Sequence, residues 1–403
     1  MNESIPRVEF IPLKPAVRLE GETRLEVLFR LHAPERERGR PRLNLGLALD
    51  RSGSMAGGKL KRALEAAAFL VQELGPQDRL AIVAYDDQIE QLLPSSPVTD
   101  KPALLARLRG VHHGGSTNLF EGWREAAYQV AQHLDPAALN RVLLLTDGLA
   151  NQGLTQPEAI AQHVGELARR GVSTTTLGIG RDFNEDLLVL MADRGGGQFY
   201  FVESAADLPR IFAQELSGLS ATFAKGVRLA LVAPGVQVRL HNAFAEGPQG
   251  QYQLPDLIRG LPLELAFSLL LPPGPFRGEL WLSWEDEEGR RQELRLPLAL
   301  EAVGEAEFQG LPEHPEVLAY LAKLEVTRLR QEAVAWLDRG MFQEASATIQ
   351  QAAPMLRTLA GHYAEEVDEL QALSTLIEED HLTARKRMLE QTLRNLKGRR
   401  GQA

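Results

Sequence analysis

The chain has 403 residues, 44% hydrophobic and 24% charged, with a formal net charge of −10 and no cysteine. That length exceeds one ordinary domain and supplies ample apolar chain for a core. The acidic balance excludes a broadly basic nucleic-acid-binding surface. The missing cysteines exclude a disulfide framework and fit a reducing compartment. The start, "MNESIPRVEF", lacks the basic and apolar segments of a secretory signal, and no run of about eighteen apolar residues is long enough to span a membrane. A cytoplasmic location with no membrane partner is therefore expected.

In chain order, the first texture is a period of two. Leu25, Val27, Phe29 and Leu31 alternate with mostly polar residues across Arg24–Leu31. From 43 to 221 the texture changes to apolar strands alternating with amphipathic helices. Strands are expected at Leu43–Leu49, Leu80–Tyr85, Val142–Thr146, Val172–Gly178 and Gln198–Val202, and helices at Leu60–Leu74, Leu119–Leu134 and Pro157–Arg169. Such alternation predicts an α/β doubly wound, mostly parallel sheet with ligands at the carboxyl ends of its strands. The region closes with a helix over about 205–219. Ser204 and Asp207 read as its capping pair, Pro209 lies in its first turn, and Leu208, Ile211, Phe212, Leu216 and Leu219 form its apolar stripe.

Period two then returns at Val227–Leu231, Val236–Leu240, Leu263–Leu271, Glu279–Trp284 and Leu294–Leu300. Because such strands lie on both sides of the α/β region, one antiparallel β-sandwich built from both flanks is the simplest expectation, with extension of the α/β sheet by the N-terminal strands as the alternative. Trp281 and Trp284 fall on opposite faces of their strand, with one face inward. Near Leu311 a third texture begins, rich in Ala, Leu, Glu, Gln and Arg. It predicts helices at about 315–338, 342–357 and 362–395, punctuated by Gly340 and Pro354. The stretch 333–352 reads either as one tetratricopeptide-like repeat or as a plain helical hairpin. The basic C-terminal stretch reads as a solvated helix face with a frayed tail. The expected domains are 1–42 (sandwich strands), 43–221 (α/β), 222–308 (the rest of the sandwich) and 309–403 (helical).

Chemistry concentrates at the strand ends. In "LGLALDRSGS" an apolar strand stops at Asp50, and Ser52 and Ser54 follow at alternate positions, which share a side in an extended loop. "HHGGSTNLFEGW" offers Thr117 in a glycine-rich loop opening a helix, and "LLLTDG" presents Asp147 at the end of a central strand. Two carboxylates and three hydroxyls suit a hard cation such as Mg²⁺, which takes about six oxygen ligands. They leave it wanting one more anionic oxygen from outside.

Asp50-x-Ser52-x-Ser54, then Thr117, then Asp147, resembles the metal-ion-dependent adhesion site of von Willebrand factor type A domains. "GGSTNL", "LLLTDGLAN" and "LGIGRDFNEDLL" resemble the family's surrounding text, and the resemblance covers about residues 43–221, most like bacterial members. It implies a six-stranded sheet with one antiparallel edge, placed at Gln88–Leu93 behind a hairpin through Asp86 and Asp87. It implies that the hydroxyls bind the metal directly, while the aspartates act directly or through water. It also implies that a partner protein supplies an Asp or Glu carboxylate. The cation is expected to be Mg²⁺, with Mn²⁺ and Ca²⁺ as alternatives.

Other readings compete. The serines and Asp50 could simply cap a helix, but three convergent loops argue for a cation. His112–His113 lacks a third ligand at zinc spacing and reads as a surface loop. Asp86–Asp87 reads as a solvated hairpin rather than a second cation site. The expected function is a metal-dependent protein-binding scaffold or adaptor and not an enzyme. A Mg²⁺-dependent phosphoryl-transfer or hydrolytic enzyme is the first alternative, although Ser52 stands where a companion acid would be needed and no Walker or Ser-His-Asp pattern occurs. An RNA-binding protein is the second, and the acidic balance disfavours it.

Overall fold

The computed structural model describes residues 5–35, 40–244, 246–247, 250–286, 288–357 and 364–398. The chain forms two compact units. One is built from the segments before residue 39 and after Ala221, and the other from the stretch between them together with the short segment 287–289.

The chain begins with β1 (Arg7–Pro12), β2 (Val17–Arg18) and β3 (Thr23–His32), which belong to the first unit. The second unit runs β4 (Arg42–Asp50), α1 (Lys59–Glu73), β5 (Arg79–Tyr85), β6 (Ile89–Pro97), α2 (Lys101–Leu108), α3 (Leu119–Ala131), β7 (Ala138–Thr146), α4 (Pro157–Arg169), β8 (Val172–Ile179), α5 (Glu185–Arg194), β9 (Gly196–Val202) and α6 (Leu208–Ser220). Its six strands lie in the order β6-β5-β4-β7-β8-β9, and only the β6 edge is antiparallel. This is the α/β doubly wound sheet expected from the alternation of strands and helices.

Helices cover both faces, so β4 and β7 are almost wholly buried, as parallel strands must be. The connection from β4 runs to β5 on one side, and after β6 the chain crosses back through α2 and α3 to β7 on the other side of β4. The crevice between the β4 and β7 ends is therefore the topological switch point. Leu49 pairs with Leu145, which brings Asp50 and Asp147 to neighbouring strand ends.

α6 carries the expected apolar stripe, with Leu208, Ile211, Phe212, Leu216 and Leu219 all buried. Its start differs from the expectation. Ser204 caps a single turn of 3-10 helix at Ala205–Asp207, and Asp207 makes no side-chain cap bond to α6. The stripe also conceals a charge. Glu215 is buried among the apolar residues and accepts hydrogen bonds from Arg141, Thr175 and Tyr200 on three successive strands.

The first unit continues through β10 (Thr222–Val232), β11 (Gln237–Leu240), β12 (Gln251–Gln253), β13 (Leu257–Ile258), β14 (Leu263–Leu271), β15 (Phe276–Glu285), β16 (Arg291–Leu300) and β17 (Ala302–Val303). One sheet has the order β1-β3-β14-β11, the other β12-β10-β15-β16 with β13 beside β10, and β17 pairs with β2. Strands from both flanks thus share one sandwich. β3 pairs along its length with β14, some 240 residues later in the chain. Val27, Phe29, Leu229, Phe267, Leu280 and Leu282 meet in its core. Trp284 points inward with them, and Trp281 lies on the other face under the Arg295 guanidinium.

A short α7 (Glu305–Gly310) leads to α8 (Pro315–Leu337), α9 (Phe342–Arg357), α10 (Ala364–Glu379) and α11 (His381–Leu396). The expected long third helix is in fact two. Asp380 leaves the helical conformation and caps α11, its carboxylate accepting from the Thr383 amide at 3.2 Å. The break lets α11 fold back so that Ala384 and Met388 join the core formed by α8, α9 and α10. Pro354 stands inside α9 rather than at its end. The basic α11 is not the solvated face expected of it: Lys386 and Lys397 are buried, and Arg385 reaches Asp338 at 2.7 Å. The tail beyond Gly398 lies outside the described residues. α8 joins the sandwich through Val317 and Tyr320 against Leu28 and Ala266, and through Arg30, which pairs with Glu9, Glu264 and Glu316.

Candidate metal centre

The five residues expected from the sequence converge at the β4/β7 crevice. Asp50 and Asp147 are fully buried, and Ser52 and Thr117 nearly so. The Asp50 carboxylate accepts from the Ser52 amide at 2.8 Å and from the Thr146 hydroxyl at 2.5 Å. Ser52 Oγ lies 3.0 Å from Ser54 Oγ, and Ser54 Oγ donates to Asp147 Oδ1 at 2.6 Å. Thr117 Oγ1 faces the same place. A Cβ placed on Gly148 would meet Ser54 Oγ at 3.2 Å, Thr117 Oγ1 at 3.4 Å and Ser52 Oγ at 4.0 Å. Three hydroxyls from two loops therefore surround one point beside the Asp147 loop. Ser54 is exposed, so the group opens to solvent on that side.

The helix-cap reading does not hold. Ser52 makes no side-chain cap bond, and the residue preceding α1 is Gly58, in a left-handed conformation at φ 104°. The serine hydroxyls are thus free for the cluster. Electrostatics point the same way. Burial, aided by the neighbouring Asp147 charge, pushes the Asp50 carboxyl up to about 6 despite the hydrogen bonds from Thr146 and Ser52. A carboxylate so desolvated favours a cation beside it. All five side-chain donors are hard oxygens, which fits Mg²⁺, Mn²⁺ or Ca²⁺ better than a softer ion.

Several residues that hold this arrangement are not apparent from the sequence motif. Asn151 clamps Thr117 in both directions: its Oδ1 accepts from the Thr117 amide at 2.8 Å, and its own amide donates to the Thr117 carbonyl at 3.2 Å. The Arg51 carbonyl accepts from Gly114, and Gly53 donates to the Gly115 carbonyl, which ties the serine loop to the threonine loop. Asp86 is not the solvated hairpin residue expected. It is 5% exposed, pairs with Arg51 at 3.2 Å, and its carbonyl accepts from the Asn118 amide. It lies so close to the threonine loop that a Cβ on Gly114 would come within 2.0 Å of its carboxylate. A Cβ on the neighbouring Gly115 would likewise come within 2.2 Å of the Asp87 carboxylate, so both glycines make room for the hairpin. Lys59, the first residue of α1, donates to Asp147 Oδ2 at 2.6 Å. The signal for Lys59 was its place just after the Ser-Gly-Ser loop, and for Asn151 its place just after Asp147. Neither follows from periodicity. His112 and His113 are exposed, as expected.

The chain thus combines a doubly wound α/β domain with a cluster of carboxylate and hydroxyl oxygens at its switch point. Residues 44–214 match the family model of the von Willebrand factor type A domain, and the chain carries that domain. Such domains are commonly metal-dependent protein-interaction modules.

The chain is similar to the uncharacterized protein YfbK of Escherichia coli, at 31% identity over 235 residues, which is 56% of this chain and 41% of that protein's length. It is also similar to the uncharacterized protein sll0103 of Synechocystis, at 26% over 362 residues, covering 84% of this chain and 83% of the other. Human inter-alpha-trypsin inhibitor heavy chain H4 matches at 28% over 187 residues, 44% of this chain and 20% of that one. Among solved structures, a von Willebrand factor type A protein from Catenulispora acidiphila aligns over 99% of both chains with a TM-score of 0.76 and 18% identity. At that identity the likeness concerns the fold alone.

Proposed function

We propose that this protein is a metal-dependent protein-binding module, a scaffold or adaptor whose divalent cation is held by Asp50, Ser52, Ser54, Thr117 and Asp147. The observation that carries this reading is the convergence of two fully buried carboxylates and three hydroxyls at the β4/β7 crevice, with Ser54 exposed to solvent. Two carboxylates only balance a dication and leave part of its shell of about six oxygens to water or an outside donor. A partner's Asp or Glu carboxylate supplies that donor, and in a partly dry site its attraction to the cation is weakly screened. Mg²⁺ is the proposed physiological ion, with Mn²⁺ and Ca²⁺ as substitutes. The cysteine-free chain suits a cytoplasmic setting, and no helix among the described residues is long and apolar enough to cross a membrane.

No reaction is proposed. Ser52 occupies the position that a phosphoryl-transfer site would give to a second acid. The test is calorimetry with Mg²⁺ and Mn²⁺ on wild type, Asp147→Ala and Asp50→Ala/Asp147→Ala, followed by partner capture with and without EDTA. Binding is expected in wild type alone, and capture is expected to need the metal. Equal affinity in all three proteins removes the assignment. A complex that survives both EDTA and Asp147→Ala places the interface elsewhere.

A further inference from the structure

Lys59 is unusual for where it stands. It is the first residue of α1, whose first turn has no acidic residue and whose preceding Gly58 offers no side-chain cap. A cation at a helix N-terminus meets the positive end of the macrodipole and is disfavoured there. Helix stability therefore does not account for it. Its ammonium instead reaches Asp147 Oδ2 at 2.6 Å, while Ser54 holds the other oxygen, Oδ1, at 2.6 Å. The Asp147 side chain is fully buried and that of Lys59 is about one-third exposed. The positive-φ pair Gly57 and Gly58 makes the turn that delivers Lys59 to this position. The ammonium also lies near the end of β8, where a Cβ on Gly180 would be 3.8 Å from Nζ.

We infer that Lys59 is a resident cation of the site: its ammonium compensates Asp147 and competes with the divalent ion for the charge of that carboxylate. This inference rests on the metal assignment above and adds a residue that sets its strength. Two buried carboxylates beside one ammonium leave one negative charge to draw in a dication. The ammonium then repels that dication or must turn outward towards solvent, which its exposure permits. Either way, affinity is held below what the oxygen ligands alone would give, so metal loading depends on the ambient concentration of the ion.

The test compares wild type, Lys59→Met and Lys59→Arg by calorimetry with Mn²⁺ and Mg²⁺, and by thermal unfolding in EDTA and in excess Mn²⁺. Methionine keeps the length and apolar stem of lysine without its charge. Lys59→Met is expected to bind Mn²⁺ about tenfold more tightly, a change of about 1.4 kcal/mol. It is also expected to unfold at lower temperature in EDTA and to gain more than wild type on adding Mn²⁺. Lys59→Arg, which keeps the charge, is expected to stay within about threefold of wild type. Affinity in Lys59→Met that is unchanged or weaker, in protein shown to be folded by circular dichroism, overturns the inference. Failure of the metal assignment itself has a different signature: wild type and Asp147→Ala then give the same titration, whatever Lys59→Met does.

Discussion

Replacing Glu215 by glutamine tests whether the buried ionic contact under α6 holds that helix to the sheet. Glu215 Oε1 accepts from Arg141 Nη1 at 2.8 Å and from Thr175 Oγ1 at 2.7 Å, and Oε2 accepts from Tyr200 Oη at 2.8 Å. The Arg141 and Glu215 side chains are 8% and 6% exposed. At such burial, removing one partner leaves the other charge uncompensated, which costs about 3–5 kcal/mol. Glutamine keeps one acceptor oxygen, so the lower end, about 3 kcal/mol, is expected at pH 7. Arg141→Met should cost a similar amount. The double variant should lie closer to wild type than the sum of the two, with a coupling of at least about 1.5 kcal/mol.

The effect should also depend on pH with a definite sign. Burial pushes the Glu215 carboxyl up, but the Arg141 charge and the hydrogen bonds from Arg141, Thr175 and Tyr200 outweigh it and hold the group below its ordinary value. A depressed carboxylate contributes stability that is present above its unfolded pKa of about 4.3 and is lost as pH falls through the folded pKa. The deficit of Glu215→Gln should therefore be full at pH 7 and shrink below about pH 4. Because the chain has two units, a global unfolding curve does not single out one helix–sheet contact. Hydrogen exchange of peptides spanning Ala138–Thr146 and Leu208–Ser220, followed against urea, isolates the relevant segment. A deficit under about 0.5 kcal/mol at pH 7, or one that does not shrink in acid, would refute the reasoning.

Gly114→Ala should disturb the centre without unfolding the sheet. Its Cβ would lie 2.0 Å from the Asp86 carboxylate, so the threonine loop must shift, and Mn²⁺ affinity by calorimetry should fall about tenfold or more. Excess Mn²⁺ at about a hundred times its Kd should stabilise the second unit by about 2.7 kcal/mol, and EDTA should reverse this in a thermal scan. Arg30→Met leaves Glu264, whose side chain is 1% exposed, without its guanidinium. It should cost about 3 kcal/mol in the sandwich and α8 together, followed by exchange of β3 and α8 peptides. Asp380→Ala removes the cap that separates α10 from α11 and should cost about 1 kcal/mol in urea unfolding of the helices.

The α/β order was legible in the sequence because buried parallel strands and amphipathic helices each leave a period in the chain, and the switch point follows from strand order. The five residues proposed as metal ligands stood out as candidates for a related reason. Asp50 and Asp147 mark themselves because an apolar strand stops at a carboxylate, Ser52 and Ser54 follow Asp50 directly, and Thr117 stands in a glycine-rich loop that opens α3. The sandwich built from both flanks was also readable, since a half-buried strand alternates wherever its partner lies. What the chain could not announce were contacts that leave no local period. Lys59 looks like any exposed helical lysine until the turn at Gly57–Gly58 carries it to Asp147. Asp86 reads as a hairpin tip until the loop at Gly114 closes over it. Glu215 is an ordinary polar position on a helix until Arg141, 74 residues earlier, meets it under the sheet. The break at Asp380 was likewise hidden, because the residues on both sides of it favour helix. There the packing of α11 against α8 decides, since burying Ala384 and Met388 outweighs the continuity of one long helix. Local preference is written in neighbouring residues. The compensation of buried charge is decided only when distant segments are brought within hydrogen-bond reach.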